Sequence, residues 1–364
     1  MNKVLNAIKT FFVTYVWQTF CIAWIWQTFS VKWIWKGFCV NTLYKKFDRY
    51  KAWIYLSPAI ILLCIFTVWP IINTIRLAFL NGYDSSIELG WLLKGQYRGE
   101  AYPFQVGLQN FLTVIKNKEF ATILTNTMLL CVLTVPLSTF IALVIAVSLN
   151  SIKFLNRTLQ TIYFLPYVTN SIAIGIVFAA MFTMTTVKND GQTLIVTAGI
   201  INNIIGIFGV SPIDWLGPQS TYMNNIFVMV VYIVWNALPF KILILLGGLQ
   251  SVNKQYYDAA KVDGTSKVRT FTRITVPLLS PMIAYVVITG FIGGFKEYTS
   301  IVGVFGESMG PVGEAYRLNT MVGYIYKYIA EHQGRASAAA ILLFFIIFAV
   351  TLVNLKVSSK KTQY

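Results

Sequence analysis

The chain has 364 residues, of which 56% are hydrophobic and only 12% are charged. Soluble globular domains carry about 25% charged residues, so this composition excludes an ordinary soluble protein and indicates a polytopic membrane protein. The net charge of +16 does not indicate nucleic-acid binding, because the basic residues form short clusters beside apolar runs, as they do in cytoplasmic loops of membrane proteins. No metal or disulfide site is expected, since the four cysteines lie inside apolar segments and His332 is the one histidine.

Residues 1–50 form a tryptophan-rich segment with a nine-residue repeat, in which Trp17, Trp26 and Trp35 occupy equivalent positions. Nine residues make two and a half helical turns, so successive copies face opposite sides and form no single apolar stripe. Tryptophan prefers the membrane interface to the bilayer centre. We therefore expect the segment to lie on the inner membrane surface, with a seventh span over 11–31 as the alternative.

Six later runs are apolar enough and long enough to cross a bilayer as helices. They cover 53–80, 122–149, 159–186, 221–249, 282–305 and 335–357. Prolines inside the first four predict kinks, at Pro70, Pro136, Pro166 and Pro239.

Basic residues indicate how these spans are oriented. With the N-terminal side of the first span inside, the inner segments hold fourteen Lys and Arg and the outer loops hold seven, which favours this orientation. A further apolar run, 193–209, would reverse the orientation of all later spans and loops if it crossed the membrane, and the basic loop after the fourth span would then lie outside. We therefore predict a short helix at the outer surface there, with Asn202 and Asn203 facing water or a partner.

The segment from Lys254 to Arg273 lies between two apolar runs and carries seven charged side chains. Its sequence YYDAAK favours a helix, Gly264 ends that helix, and Thr265-Ser266 can cap a second helix that leads to Pro277. The chemistry fits a short helix that docks on a soluble partner, and it equally fits an amphipathic connector on the inner leaflet.

The pattern D-A-A-x3-G-x9-I-x-V-P, from Asp258 to Pro277, resembles the EAA loop of importer-type ABC permeases. Asp258 and Val276 depart from the family's glutamate and leucine. Stretches 56–79, 246–264 and 319–344 are also similar to the first permease subunit of maltose- and glycerol-phosphate-type importers. The resemblance covers roughly 50–358 and implies an all-α, six-helix, type I importer core with an extra aromatic N-terminal segment.

This resemblance implies a domain organisation and a set of partners. The permease domain would cover 51–358, with its EAA loop at 250–281 and a cytoplasmic tail at 359–364. The chain lacks the GxxxxGK[ST] phosphate loop, so ATP-Mg would bind to two separate cytoplasmic ATPase subunits. A paralogous second permease and an extracytoplasmic solute-binding protein would complete a bacterial plasma-membrane importer, with the EAA loop and the C-terminus in the cytoplasm.

The resemblance also implies roles for the residues of the EAA loop. Those that would contact the ATPase are Asp258, Ala259, Ala260 and Gly264, of which Asp258 would pair with a basic group. The residues that would fix the helix that follows are Phe271, Ile274 and Pro277.

Ionisable residues inside spans are functional candidates, and here they are Arg76, Lys241, Lys296 and Glu297. Arg76 can reach the membrane surface from the end of its span, whereas Lys241 and Glu297 are expected to form an ion pair or to contact solute. Family matching places the pathway along two helices, with Asn236 and Phe240 on one and Gly290, Gly293, Gly294 and Glu297 on the other. The glycines would either widen a pocket or permit close helix packing.

The sequence therefore predicts a non-enzymatic permease subunit of an ATP-driven importer. It would move a sugar, an oligosaccharide or a glycerol-phosphate-like solute by alternating access. An ion-gradient-driven secondary carrier is the alternative, although it would leave the EAA loop unexplained. A lipid-acting intramembrane enzyme is a weaker third option, because the spans lack clustered Asp, His or metal-ligand residues.

Overall fold

The computed structural model describes residues 40–95, 101–152, 156–189 and 192–361. The tryptophan repeat, and with it the choice between a surface element and a span at 11–31, lies outside the described residues. The chain divides into two compact units between Ile71 and Ile72. The first unit contains helix α1 (Val40–Leu63) and a π-helical turn, Cys64–Val68.

The second unit is built mainly from helices. Its early elements are α2 (Trp69–Phe79, whose first three residues belong to the first unit), α3 (Ser85–Gly90), a π-helical turn (Trp91–Gly95) and α4 (Gln109–Ile115). The central elements are α5 (Lys118–Ser151), α6 (Asn156–Val168), α7 (Ser171–Phe182), β1 (Met184–Asn189), β2 (Gln192–Ala198), α8 (Ile200–Ile207) and α9 (Tyr222–Ser251).

The remaining elements follow α9 directly. They are α10 (Lys254–Val262), α11 (Lys267–Thr270), a π-helical turn (Phe271–Thr275), α12 (Val276–Leu278), α13 (Ser280–Gly294), α14 (Thr299–Phe305), α15 (Met321–Tyr328) and α16 (Gln333–Lys361).

Hydropathy and length bear out four of the six predicted spans as continuous helical segments, and the number reaches six if each of two bent helix pairs counts as one span. Within the described part of the chain, four helical segments are long and apolar enough to cross a membrane: Tyr55–Phe79, Lys118–Ser151, Tyr222–Ser251 and Gln333–Ser358. Two bent pairs bring the number to as many as six: Thr158–Val168 with Ser171–Phe182, and Lys267–Leu278 with Ser280–Gly294. The pairs bend by 99° and 69°.

The third predicted span, 159–186, is not one continuous helix. It breaks after Val168 and restarts at Ser171, where the Asn170 side chain accepts hydrogen bonds from the N–H groups of Ile172 and Ala173. Pro166 lies just before the break, so a proline and a new N-cap act together there. The helix ends at Phe182, four residues earlier than predicted.

The fifth predicted span, 282–305, is also interrupted. α13 ends at Gly294, and the chain resumes as α14 only at Thr299. Lys296 and Glu297 therefore lie in a non-helical segment and not in the middle of a helix, as the hydropathy pattern predicted. Two adjacent glycines weaken the helix before the break, and Glu297 accepts a hydrogen bond from the N–H of Ser300 after it.

Helices α5 and α9 run parallel. Near their beginnings Tyr222 donates a hydrogen bond to Asn126, and near their ends Leu149 and Leu249 belong to one buried cluster. One crossing must therefore separate them, and the bent pair α6–α7 supplies it. The run 193–209 consequently does not span the membrane, in agreement with the prediction.

That run nevertheless differs in detail from the prediction. It forms β2, which pairs antiparallel with β1, and then the short helix α8. The hairpin is an unpredicted exception to the all-α class. Asn202 does not face water: its side chain is buried and bonds to the backbone of Ile213 and to the indole of Trp215. Asn203 is exposed, as predicted.

The loop before α15 is tied to the amino-terminal parts of α5 and α9. The Asn126 side chain donates hydrogen bonds to the backbone oxygens of Arg317 and Asn319. The Arg317 guanidinium in turn donates to the Ser220 carbonyl and the Asn225 side chain. These bonds hold this end of the bundle together around a buried apolar cluster that includes Leu130, Met229 and Ile301.

Candidate functional site

The charged loop after α9 folds as a helix, a glycine turn and a second helix, as predicted. α10 is capped by Asn253, whose side chain accepts a hydrogen bond from the N–H of Gln255. Gly264 has φ +63°, and the N–H of Thr265 bonds to the carbonyl of Ala260 at 2.9 Å. An L side chain is strained in this left-handed conformation, so the prediction that Gly264 provides it is confirmed.

The second half of the loop leads back into the bundle. Ser266 caps α11 by accepting a hydrogen bond from the N–H of Arg269, and a π-helical turn follows. Pro277 lies just after this turn and is itself exposed. The predicted anchors Phe271 and Ile274 are half-buried, and Phe271 packs against the cluster at the carboxyl ends of α5 and α9.

The outward sides of α10 and α11 leave both charge and apolar surface uncovered. Asp258 and Ala259 are exposed, and among the described residues Asp258 forms a side-chain bond only with Lys261 on the same helix, at 3.1 Å. Val262 is 89% exposed and Val268 is 73% exposed. Of the four predicted docking residues, Ala260 alone is buried, so it packs inward against this chain.

A cavity of about 340 Å³ lies between α5, α9 and α13. Every predicted pathway residue lines it, namely Asn236, Phe240, Lys241, Gly290, Gly293, Gly294 and Glu297. The structure thus brings together side chains that are up to 61 positions apart in the sequence. Their role toward a solute remains a prediction.

The sequence did not identify the residues that complete one wall of this cavity. Tyr167, next to the α6–α7 break, stacks on Phe240 with ring centroids 5.9 Å apart and an interplanar angle of 19°. Asn236 donates a hydrogen bond to the hydroxyl of Ser171 at the start of α7. Pro166 and Asn170 are the sequence signal of this break, and they could have indicated that the chain bends toward a site.

Lys241 does not pair with Glu297, and the predicted ion pair is wrong. The ammonium group is buried and bonds to the Val135 carbonyl at 3.1 Å, the Ser138 hydroxyl at 2.7 Å and the Thr139 hydroxyl at 2.9 Å. An ammonium group has three donors, and three neutral oxygens of α5 accept them. Lys241 therefore fixes α9 to α5 beside Pro136.

Glu297 is the one carboxylate among the described residues that line the cavity. It lies in the break between α13 and α14, where its side chain bonds to the N–H of Ser300 at 3.2 Å. The Thr320 hydroxyl donates to the Glu297 carbonyl at 2.8 Å, which holds the non-helical backbone. Such backbone is tolerated at membrane depth where it lines a cavity or is buried in protein.

The three glycines of α13 divide between the two roles that the sequence left open. A Cβ at Gly290 would lie 3.0 Å from Val135 Cγ1, and one at Gly294 would lie 2.8 Å from Cys131 Sγ. These two glycines therefore permit close packing of α13 on α5. A Cβ at Gly293 would meet nothing within 4 Å, so Gly293 widens the cavity.

The other two ionisable candidates lie away from the cavity. Lys296 is exposed. Arg76 bonds to Glu88 and to the Tyr102 hydroxyl, so it has defined partners in addition to its position near a span end. Burial alone would raise the pKa of Glu88, but hydrogen bonds from Tyr83, Tyr102 and Arg76 outweigh it and lower that pKa.

Comparison with known protein families decides what this arrangement is. The family model described as "binding-protein-dependent transport system inner membrane component" matches residues 118–362. The chain belongs to this family. It is therefore a multi-pass permease subunit of a binding-protein-dependent ABC importer in the inner membrane, and it is not an enzyme. Neither a secondary carrier nor a lipid-acting enzyme is compatible with this membership.

Curated relatives of this permease cover most of its length. The arabinooligosaccharides transport system permease protein AraP of Bacillus subtilis is 30% identical over 84% of this chain and 88% of its own. The trehalose/maltose transport system permease protein MalF of Thermococcus litoralis is 31% identical over 70% of this chain and 80% of its own. The lactose transport system permease protein LacF of Rhizobium radiobacter is 27% identical over 84% and 91%.

Solved structures agree on the fold. A chain of a bacterial ABC transporter involved in alginate import matches with a TM-score of 0.65 at 20% identity, over 88% of this permease and 100% of that chain. A chain of an alginate transporter in complex with an alginate pentasaccharide-bound periplasmic protein gives a TM-score of 0.66 at 21% identity, over 88% and 98%. The ABC importer permease fold predicted from the sequence is thus confirmed.

Proposed function

We propose that this permease imports a neutral sugar or oligosaccharide by alternating access, as the first of two paralogous permease subunits. Two cytoplasmic ATPase subunits would bind ATP-Mg and drive the cycle, and an extracytoplasmic solute-binding protein would deliver the sugar. The names of the relatives support the substrate class, since they specify arabinooligosaccharides, trehalose or maltose, and lactose.

The chemistry of the cavity carries the proposal that a sugar passes there. A sugar presents hydroxyl groups at its edge and C–H groups on its faces, so it needs polar side chains next to aromatic rings. The cavity offers the Asn236 amide and the Glu297 carboxylate beside the stacked pair of Tyr167 and Phe240. The cavity has a volume of about 340 Å³. It would form one half of the translocation pathway, and the second permease would supply the facing wall.

The charges in the cavity favour a neutral solute over a phosphorylated one. Lys241 has its three donors occupied by oxygens of α5, so it offers no free donor to a phosphate group. The Glu297 side chain lines the cavity and its oxygen atoms can accept hydrogen bonds from the hydroxyl groups of a sugar. Glycerol phosphate, which the sequence left open, is therefore the less suitable solute.

The exposed sides of α10 and α11 support ATPase docking at this loop. Asp258, Val262 and Val268 are uncovered, and Gly264 provides the turn that presents them. In the proposed orientation α10 and the C-terminus face the cytoplasm, as the distribution of basic residues favours. A displacement of α10 would be transmitted to the cavity by α9 and α13, because α10 and α11 connect these two helices along the chain.

The test is uptake of labelled solutes by proteoliposomes that contain the complete importer and internal ATP. We expect maltose, lactose or an arabinooligosaccharide to be accumulated and glycerol phosphate not to be. Phe240→Ala should lower sugar uptake at least about tenfold, which corresponds to about 1.4 kcal/mol. Leu243→Ala is the matched control, because Leu243 lies on the same helix but is exposed on its outer side.

Two results would contradict the proposal. Preferred accumulation of glycerol phosphate would contradict the assignment to neutral sugars. Equal uptake by the Phe240→Ala and Leu243→Ala variants would show that sugar does not pass along this wall of the cavity.

A further inference from the structure

A second cavity lies at the end of the bundle opposite α10. It has a volume of about 390 Å³ and is lined by Gln109, Leu112, Thr113, Lys116, Asn117 and Arg335. We call it the boundary pocket. Its residues come from α4, from the turn before α5 and from the first turn of α16. Because α5 and α16 are membrane spans that begin here, the boundary pocket lies at the level of one membrane surface.

The boundary pocket carries two cations and no carboxylate among its lining residues. Lys116 is exposed, and its ammonium group has no ion-pair partner in the part of the chain that the structure describes. Arg335 is oriented by a hydrogen bond from its Nε to the Tyr324 hydroxyl at 2.6 Å and by the Tyr328 ring, 4.0 Å from the guanidinium. The nearby carboxylate of Glu119 is engaged by Lys327 at 3.4 Å.

The helix beside the boundary pocket has apolar residues on both of its sides. Val114 is fully buried and packs inward. Leu108, which lies just before the helix, Leu112 and Ile115 share a different face and are 60%, 45% and 52% exposed. A helix with this pattern at the start of two spans is suited to the membrane interface, where its outer apolar face meets acyl chains. Leu112 belongs both to this face and to the boundary pocket.

We propose that the boundary pocket binds one anionic phospholipid. The lipid phosphate lies between Lys116 and Arg335, and the polar side chains of Gln109, Thr113 and Asn117 surround the headgroup. The acyl chains extend along Leu112 and the outer face of α4. Charge complementarity selects this occupant, because two cations and no carboxylate line a pocket at the level where two membrane spans begin.

The experiment is native mass spectrometry of the complete importer, exchanged into detergent with phosphatidylglycerol or with phosphatidylcholine of the same acyl chains. We expect one phosphatidylglycerol to be retained in preference to phosphatidylcholine. Lys116→Gln should weaken this retention about fivefold, the effect of losing one cation near an anionic headgroup. Lys118→Gln is the matched control, since Lys118 is exposed two residues away and does not line the boundary pocket.

A soluble-anion arm separates the lipid from a free phosphate. Inorganic phosphate at millimolar concentration should leave the retained phosphatidylglycerol in place, because it lacks acyl chains to contact Leu112. Displacement by phosphate would overturn the proposal in favour of a soluble-anion site. Equal retention of the two lipids, or equal losses in the Lys116→Gln and Lys118→Gln variants, would overturn it in favour of diffuse charge attraction.

Discussion

The crossing of α7 over α14 depends on two glycines that bring the backbones into contact. A Cβ on Gly175 would lie 2.6 Å from the Cα of Gly303 and 2.7 Å from its carbonyl carbon. Carbon atoms in contact normally stay about 3.5–4.0 Å apart. The obstructing atoms belong to backbone, so the clash is relieved only if one helix moves. α14 follows directly after the break that contains Glu297, and its displacement would disturb the cavity.

Gly175→Ala should therefore destabilise the permease and impair uptake. Overpacking costs about 1–3 kcal/mol, and the preference of a helix for alanine over glycine returns about 0.5–1 kcal/mol. Gly247→Ala is the matched control, because Gly247 lies inside α9 and a Cβ there would meet nothing within 4 Å. This variant should be stabilised by about 0.5–1 kcal/mol through helix preference alone.

The assay is thermal inactivation of the purified complete importer, with ATP-driven uptake measured on the same preparations. We expect the Gly175→Ala variant to be inactivated at a lower temperature than the wild type and the Gly247→Ala variant to match or exceed the wild type. Equal inactivation temperatures for the two variants would refute the reasoning, since it would show that α7 and α14 can separate without loss.

Three further predictions concern the coupling loop, the cavity and the outer loop. Gly264→Ala should reduce ATP-coupled uptake at least about tenfold, because an L residue at φ +63° costs about 1–2 kcal/mol and would shift α10. Gly209→Ala is the control, since it carries similar strain at φ +78° and should leave uptake intact. Equal losses of uptake in the two variants would contradict a role for the loop. Glu297→Gln should impair uptake without disassembly of the complex, because Glu297 lines the cavity and does not hold Lys241, whose three donors bond to α5. Unchanged uptake, or loss of the assembled complex, would refute this. The pKa of Glu88 is lowered in the folded protein, so the stability that its carboxylate contributes is complete above the ordinary pKa of 4.5 and is lost as pH falls through the folded pKa. The difference in thermal stability between the wild type and Glu88→Gln should therefore shrink on acidification. A difference that stays constant with pH would refute this prediction.

The features that were predictable from the sequence are those that local chemistry determines. Hydropathy located the spans, and the glycine turn of the charged loop followed from Gly264 and the capping residue Ser266. Matching residues by their distance from the loop motif also predicted that Asn236 and Glu297 belong to one site, and both of them line the cavity. In each case either a short-range conformational preference or a family pattern contained the information.

The features that the sequence missed depend on contacts between distant elements. The partners of Lys241 are Ser138 and Thr139, and no spacing along the chain reveals which face of α5 meets α9. Hydropathy continues across the breaks after Val168 and Gly294, so it could not show that those spans are interrupted. The hairpin did have a local signal, since the TLIVT run in β2 is rich in β-branched residues.

We propose that α10 couples ATP hydrolysis on a separate ATPase to conformational change at the cavity. The most direct measurement places a photo-crosslinking group at Val262, which is 89% exposed at the end of α10, in the importer within its native membrane. We predict a crosslink to an ATPase subunit that carries the phosphate loop absent from this chain. Crosslinking to lipid alone would contradict the claim and would make α10 a connector that lies on the membrane surface.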